Sequence, residues 1–136
     1  MKYFWVYLSS LSTLLLLDMV WLGLVATSVY QQGMGSLMAV SPHWVAAGLF
    51  YLLYPVGIVI FGVAPGEKRS LVKAAGRGAL FGFFAYATYD LTNLATLRDW
   101  PASLSILDMA WGTALSAASA AAGRWCWLHL DKSPRF

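Results

Sequence analysis

The chain is poor in charge, in cysteine and in histidine, and each shortage removes a class of function. Charged residues make up 11% of its 136 positions, against 60% apolar and 15% aromatic, a balance typical of membrane proteins. The single cysteine, Cys126, excludes an internal disulfide and any cysteine-only metal cluster, and it reads as a small apolar filler. No His-x-x-x-His or Glu-x-x-His pair occurs, so no helix offers a familiar metal-ligand spacing, and neither metal nor cofactor is expected. The basic excess is spread over three segments without a reader motif, which argues against nucleic acid as a partner.

The few charges avoid four long intervals, each sufficient for the roughly 20 helical residues that cross a hydrocarbon core. The expected fold is therefore all-α: a single-domain integral membrane four-helix bundle over residues 1–136, with helices at about 3–29, 43–63, 71–97 and 102–128. A basic start and an apolar run also suit a signal peptide, but this run exceeds the roughly 7–15 residues of a signal core. Lys2, Lys68, Arg69, Lys73, Arg77, Arg124, Lys132 and Arg135 fall on one side of that topology and Arg98 alone on the other. This asymmetry places both termini and the middle connection in the cytoplasm.

Local signals refine the helices. Ser41 is expected to cap the second helix with Pro42 at its first position, and Pro55 to kink it and free the Tyr51 carbonyl. His43, Ala47, Tyr51 and Tyr54 form its inward stripe. The connection from Gln31 to Pro42 is a loop or a short interfacial helix, whose Met34, Leu37, Met38 and Val40 suit contact with lipid or protein. Gly78 and Gly82 in the third helix, and Gly112, Ser116, Ala120 and Gly123 in the fourth, offer small faces for close packing. Trp100, Trp125 and Trp127 are expected at the membrane interfaces.

Against this background the polar residues inside the helices stand out. The third helix carries Tyr86, Tyr89, Asp90, Asn93 and Thr96 as a stripe in its outer half. The terminal helices share an L-D-M-x-W pattern, Leu17-Asp18-Met19-Val20-Trp21 and Leu107-Asp108-Met109-Ala110-Trp111, and an i, i+3 spacing puts each aspartate on the face of its tryptophan. At the helical rise, Asp90 and Asp108 lie roughly 10–12 Å inside the outer end and Asp18 roughly 18 Å inside, so all three can meet, with His43 and Tyr51 near them. Each would cost about 2.5–3.5 kcal/mol facing lipid. They are therefore expected to face the interior, and with no lysine or arginine at that depth the cluster needs a proton or an exogenous cation.

The Leu17-Asp18-x-x-Trp21-Leu22-Gly23 segment, the run Tyr89-Asp90-Leu91-Thr92-Asn93-Leu94-Ala95-Thr96 with Trp100-Pro101, and Asp108-x-x-Trp111-Gly112 resemble a family of small bacterial membrane proteins, domain of unknown function 2177. The resemblance covers nearly the whole chain and implies a multi-pass protein of the bacterial inner (plasma) membrane. It carries no established activity. The binding or proton-relay candidates are Asp18, Asp90, Asn93, Asp108, Tyr51, Tyr86, Tyr89, Trp21, Trp111 and His43. Three functions fit: a small proton- or cation-coupled transporter or channel, an intramembrane enzyme using acid/base chemistry on a lipid or isoprenoid, or a structural subunit whose polar groups fix packing. The partners implied are membrane lipids, a proton, small cation or lipid-like ligand, and a second copy of the chain, since four helices make a thin wall around any path.

Overall fold

The computed structural model describes residues 1–65 and 70–132; Lys68, Arg69 and Arg135 of the basic set lie outside the described residues. Among the described residues the chain is helical without strands. Five α-helices occur: α1 (Lys2–Val20), α2 (Thr27–Met34), α3 (Trp44–Ile58), α4 (Leu71–Thr96) and α5 (Ala102–Lys132). Wider π-helical stretches continue α1 (Trp21–Ala26) and α3 (Val59–Val63), and a 3-10 turn (Gly35–Leu37) follows α2.

Two helical runs, Lys2–Leu24 and Trp44–Val63, are both long and apolar enough to cross a membrane. Helices α4 and α5 exceed them in length, with 26 and 31 residues, but spread more polar side chains along their course. The first helical run extends past its expected end at residue 29, because the π stretch leads directly into α2. His43 replaces Ser41 as the cap of α3, its Nδ1 accepting from the Ala46 N–H at 3.2 Å. Ser70 caps α4 by accepting from the Lys73 N–H at 3.0 Å, which satisfies one of the helix's otherwise orphaned donors. Near Pro55, the Tyr7 hydroxyl donates to the Leu52 carbonyl at 2.8 Å, one residue beyond the carbonyl expected to be freed.

The closest packing is between α4 and α5, joined by a short turn in which Asp99 adopts a left-handed backbone (φ 61°), a conformation that Asp tolerates better than most residues. A Cβ added at Gly78 would lie 2.5 Å from Ala120 Cβ and 2.6 Å from the Ser116 carbonyl oxygen, so only glycine permits this approach. Helix α1 is tied to α5 by hydroxyls: Ser9 donates to the Ala122 carbonyl at 3.1 Å and Ser10 to that of Ser119 at 3.0 Å. Val6, Leu14, Ile58, Val63, Leu115 and Ala120 fill the space between.

One end of the molecule gathers cations. Lys2 pairs with Asp131 and lies 4.1 Å from the Trp127 ring centroid. Arg77 Nε donates to the Gly62 carbonyl at 3.1 Å, and the buried Arg124 donates from Nη2 to that of Pro65 at 3.3 Å. Those carbonyls close the helical run that ends α3, where positive charge opposes the helix dipole. Of the tryptophans expected at interfaces, Trp125 is exposed, whereas Trp127 and Trp100 are buried; both rings turn inward, onto Tyr3 and Tyr89 respectively.

The distribution of polarity is inverted relative to a water-soluble protein. Ser10, Asp18, Asp90, Ser105, Asp108, Ser116, Ser119 and Arg124 are buried, while Leu16, Leu24, Val45, Leu53, Val72 and Ile106 are each more than 60% exposed. Gly78→Ala is expected to cost about 1–3 kcal/mol through overpacking. Gly76→Ala, with nothing within 4 Å of the added carbon, should be neutral or gain up to about 1 kcal/mol of helix propensity. Thermal unfolding of the two variants in detergent micelles checks the contrast.

Candidate functional site

Asp18, near the end of α1, is the meeting point of three helices. Tyr51 of α3 donates its hydroxyl to Oδ2, and the indole N–H of Trp111 in α5 donates to Oδ1 at 3.2 Å. Each carboxylate oxygen thus has its own donor from a different helix, the arrangement that makes a buried carboxylate tolerable. Trp111 also stacks face to face on Trp21, with ring centroids 4.4 Å apart and planes 6° from parallel. The two L-D-M-x-W segments therefore interlock, the tryptophan of one serving the aspartate of the other.

Asp108 has a different environment. Its Oδ1 accepts from the hydroxyl of Tyr30 in α2, and its acidic neighbour is Asp90 on the facing α4. Asp90 is fully buried, and neither carboxyl oxygen has a hydrogen-bond partner among the described residues. Its backbone is well held: Ser105 Oγ donates to the Asp90 carbonyl at 3.1 Å and accepts from Trp100 Nε1 at 2.9 Å. Trp100 and Ser105 thus anchor the backbone of Asp90 while its acid group faces another acid.

The sequence pattern gave no sign of Tyr30, because twelve α-helical residues at about 100° each leave it about a third of a turn away from Asp18. The π stretch Trp21–Ala26 turns less per residue, and over six residues this lag is of the same size. It carries Tyr30 round to α5. A π-helical segment between α1 and α2 has no reliable sequence signal, and Tyr30 lies one residue beyond the helix end expected at residue 29.

Asp18 and Asp108 border a single cavity of about 710 Å³, well within the range of small-molecule pockets. Aromatic rings make much of its wall: Trp21 and Trp111, with Tyr30, Tyr51, Tyr54, Tyr86 and Tyr89. Tyr54 shares a 2.6 Å hydrogen bond with Ser116 Oγ and meets Tyr86 edge to face at 6.1 Å. Tyr86 lies against the bare backbone of Gly112, where any Cβ would strike its ring. Of the remaining candidates, Asn93 sits beside Tyr89 outside the cavity wall. His43 is exposed and engaged in capping, so it does not join the aspartates. Met34 and Met38 line the cavity, whereas Leu37 and Val40 are exposed. Among the described residues, no three His, Cys, Asp or Glu side chains converge as metal ligands would; Asp18 stands apart from the Asp90–Asp108 pair.

A profile of the predicted membrane protein family DUF2177 matches residues 3–125. The chain belongs to this family. No curated protein and no solved structure matches it. The DUF2177 match spans all three aspartates, both interlocked tryptophans and the tyrosines of the cavity. In this DUF2177 protein, Tyr51→Phe is expected to lose about 1.5–3 kcal/mol, the usual worth of a hydrogen bond to a charged group. In the Asp18→Asn background the loss should fall by at least about 1 kcal/mol, which a double-mutant cycle of unfolding in micelles measures.

Proposed function

We propose that the chain is a four-helix, multi-pass protein of the bacterial inner membrane with both termini cytoplasmic, and that its cavity is the binding site of a small proton-coupled transporter. The membrane reading is supported by the apolar exterior over a polar interior, by two apolar spans and by the family. The orientation rests on the cationic end formed by Lys2, Arg77 and Arg124, which suits the cytoplasmic side. The observation that carries the transport reading is the Asp90–Asp108 pair at the edge of a roomy cavity whose wall, among the described residues, has no lysine, arginine or histidine. Two neighbouring carboxyls without a cationic side chain need a counter-charge. A proton at one moment and a cationic ligand at another provide it, and alternation between the two is coupling.

A second reading is favoured by the shape of the mouth. Helix α4 lies close to the π-helical end of α3, at Gly62 and Gly78, and draws away from α3 itself. Phe50 and Tyr89, which border the cavity on those two helices, are 39% and 52% exposed. A pocket open sideways to lipid also suits an enzyme that uses the carboxyl pair as acid and base on a lipid or isoprenoid.

Purified protein in sealed vesicles containing a pH-sensitive dye distinguishes these. Wild type should carry protons under a pH gradient when a small organic cation is present on the opposite side, and Asp108→Asn and Asp90→Asn should each lower that flux by about tenfold or more. Equal flux in wild type and both variants removes transport through the pair. Orientation is checked separately by single-cysteine labelling in a Cys126→Ser background: a cysteine at Asp99 should react with an impermeant maleimide added outside intact spheroplasts, and one at Lys2 only after lysis.

A further inference from the structure

The chemistry of the cavity wall narrows its ligand to one class. Resting on the reading of this cavity as a transport site, we infer that the ligand is a lipophilic organic cation, with its charge held near Asp108 and its apolar body against the stacked Trp21 and Trp111. Charge comes first. The wall carries two carboxyls, and no cationic side chain lines it among the described residues, so it favours a cation over an anion. Asp18 already has a donor on each oxygen, whereas Asp108 has one phenol and an acid neighbour. The acid groups least provided with donors are therefore Asp108 and Asp90.

Size and lining then argue against a bare metal ion. A dedicated protein cage for a hard cation such as calcium gathers roughly six to eight oxygens, several of them from carboxylates, and no three acidic or histidine side chains converge among the described residues. The volume of about 710 Å³ far exceeds the roughly 30 Å³ of a water molecule. Aromatic faces attract an organic cation through their quadrupoles, tryptophan most strongly, and the parallel pair of indoles offers a flat apolar surface beside the charge. The exposed rim residues Leu22, Phe50 and Tyr89 are apolar or aromatic, which suits a ligand that partitions into the bilayer and reaches the site sideways.

Exchange at the pair is balanced by one O–H bond. When the cation binds, one carboxyl of the pair gives up its proton to water and the resulting carboxylate neutralises the ligand; when the cation leaves, a proton returns. The titratable groups facing Asp108 are Tyr30 from α2 and Asp90, Tyr86 and Tyr89 from α4. Asp18 and Tyr51, from α1 and α3, face the same cavity.

The test uses the full chain in lipid nanodiscs with tetraphenylphosphonium as the probe, followed by titration calorimetry in buffers of different ionisation enthalpy. Tetraphenylborate, of the same shape and opposite charge, is the control. Saturable binding of the cation is expected, weakening towards acid by up to about tenfold per pH unit for one displaced proton, with no saturable binding of the anion. Trp21→Leu should weaken it about 3- to 30-fold, the range of a desolvated cation–π contact. Asp108→Asn should abolish it; if that variant does not fold, Asp90→Asn and Trp21→Leu decide. Equal binding of cation and anion overturns the inference, as does unchanged cation binding in both aspartate variants. Binding of a neutral isoprenoid alcohol without binding of tetraphenylphosphonium also overturns it, in favour of the enzyme. Cation binding that is independent of pH and releases no proton supports the ligand class while ending the proton-coupled reading. Aspartate-dependent proton flux without cation binding does the reverse.

Discussion

Two donors converging on Asp18 hold the cavity open. Tyr51 and Trp111 come from α3 and α5 and meet on a carboxylate of α1, so three helices are fixed at the level where the cavity begins. Such charge-assisted bonds are about twice as strong as neutral ones. Lipid provides little hydrophobic drive between helices, and association there relies on packing and polar contacts. Here those two forms of association are separated in space. At the cationic end, small residues bring α4, α5 and the π-helical end of α3 into direct backbone contact. Towards the cavity, aromatic rings and a carboxylate take over as spacers.

The same division accounts for the void. Gly62, Gly78 and Ala120 draw the helices together, whereas the next levels are occupied by large rings, Tyr54 against Tyr86 and Trp21 stacked on Trp111, which hold the backbones apart. A wedge that is narrow at its small-residue end must widen where the residues become aromatic. The cavity follows from the order of small and large residues along α3, α4 and α5, and the polar groups within it then determine what it accepts.

Much of this arrangement is legible in the sequence. Composition predicts helices, spacing predicts the small faces of α4 and α5, and the depth of Asp18, Asp90 and Asp108 marks them as interior groups; all three are buried. What could not be read depends on departures from ideal periodicity. Tyr30 reaches Asp108 through a π-helical stretch, and no residue pattern announces that change of pitch. His43 shares a face with Tyr51 on an ideal helix, yet it lies just before the first turn of α3, where its ring caps a backbone N–H. Trp100 has the right position for an interfacial anchor, but Ser105 offers its indole an acceptor and draws it inward. In each case a local hydrogen bond or a change of helix type overrides the average direction on which spacing arguments rest.

The repeated L-D-M-x-W pattern shows how one local motif takes two roles. Both aspartates lie one turn from a tryptophan, and both border the cavity. Trp111 donates to Asp18, but the indole of Trp21 makes no corresponding bond to Asp108. The asymmetry comes from the helices opposite. Facing Asp18, α3 supplies Tyr51, a donor; facing Asp108, α4 supplies Asp90, a second acid. The first carboxylate is satisfied and acts as a strut. The second keeps one donor, from Tyr30, and shares its surroundings with a second acid. A symmetrical pair of motifs would have produced either two struts or two unsatisfied acids. Placing Asp90 opposite only one of them gives the site one braced carboxylate and one pair of facing acids.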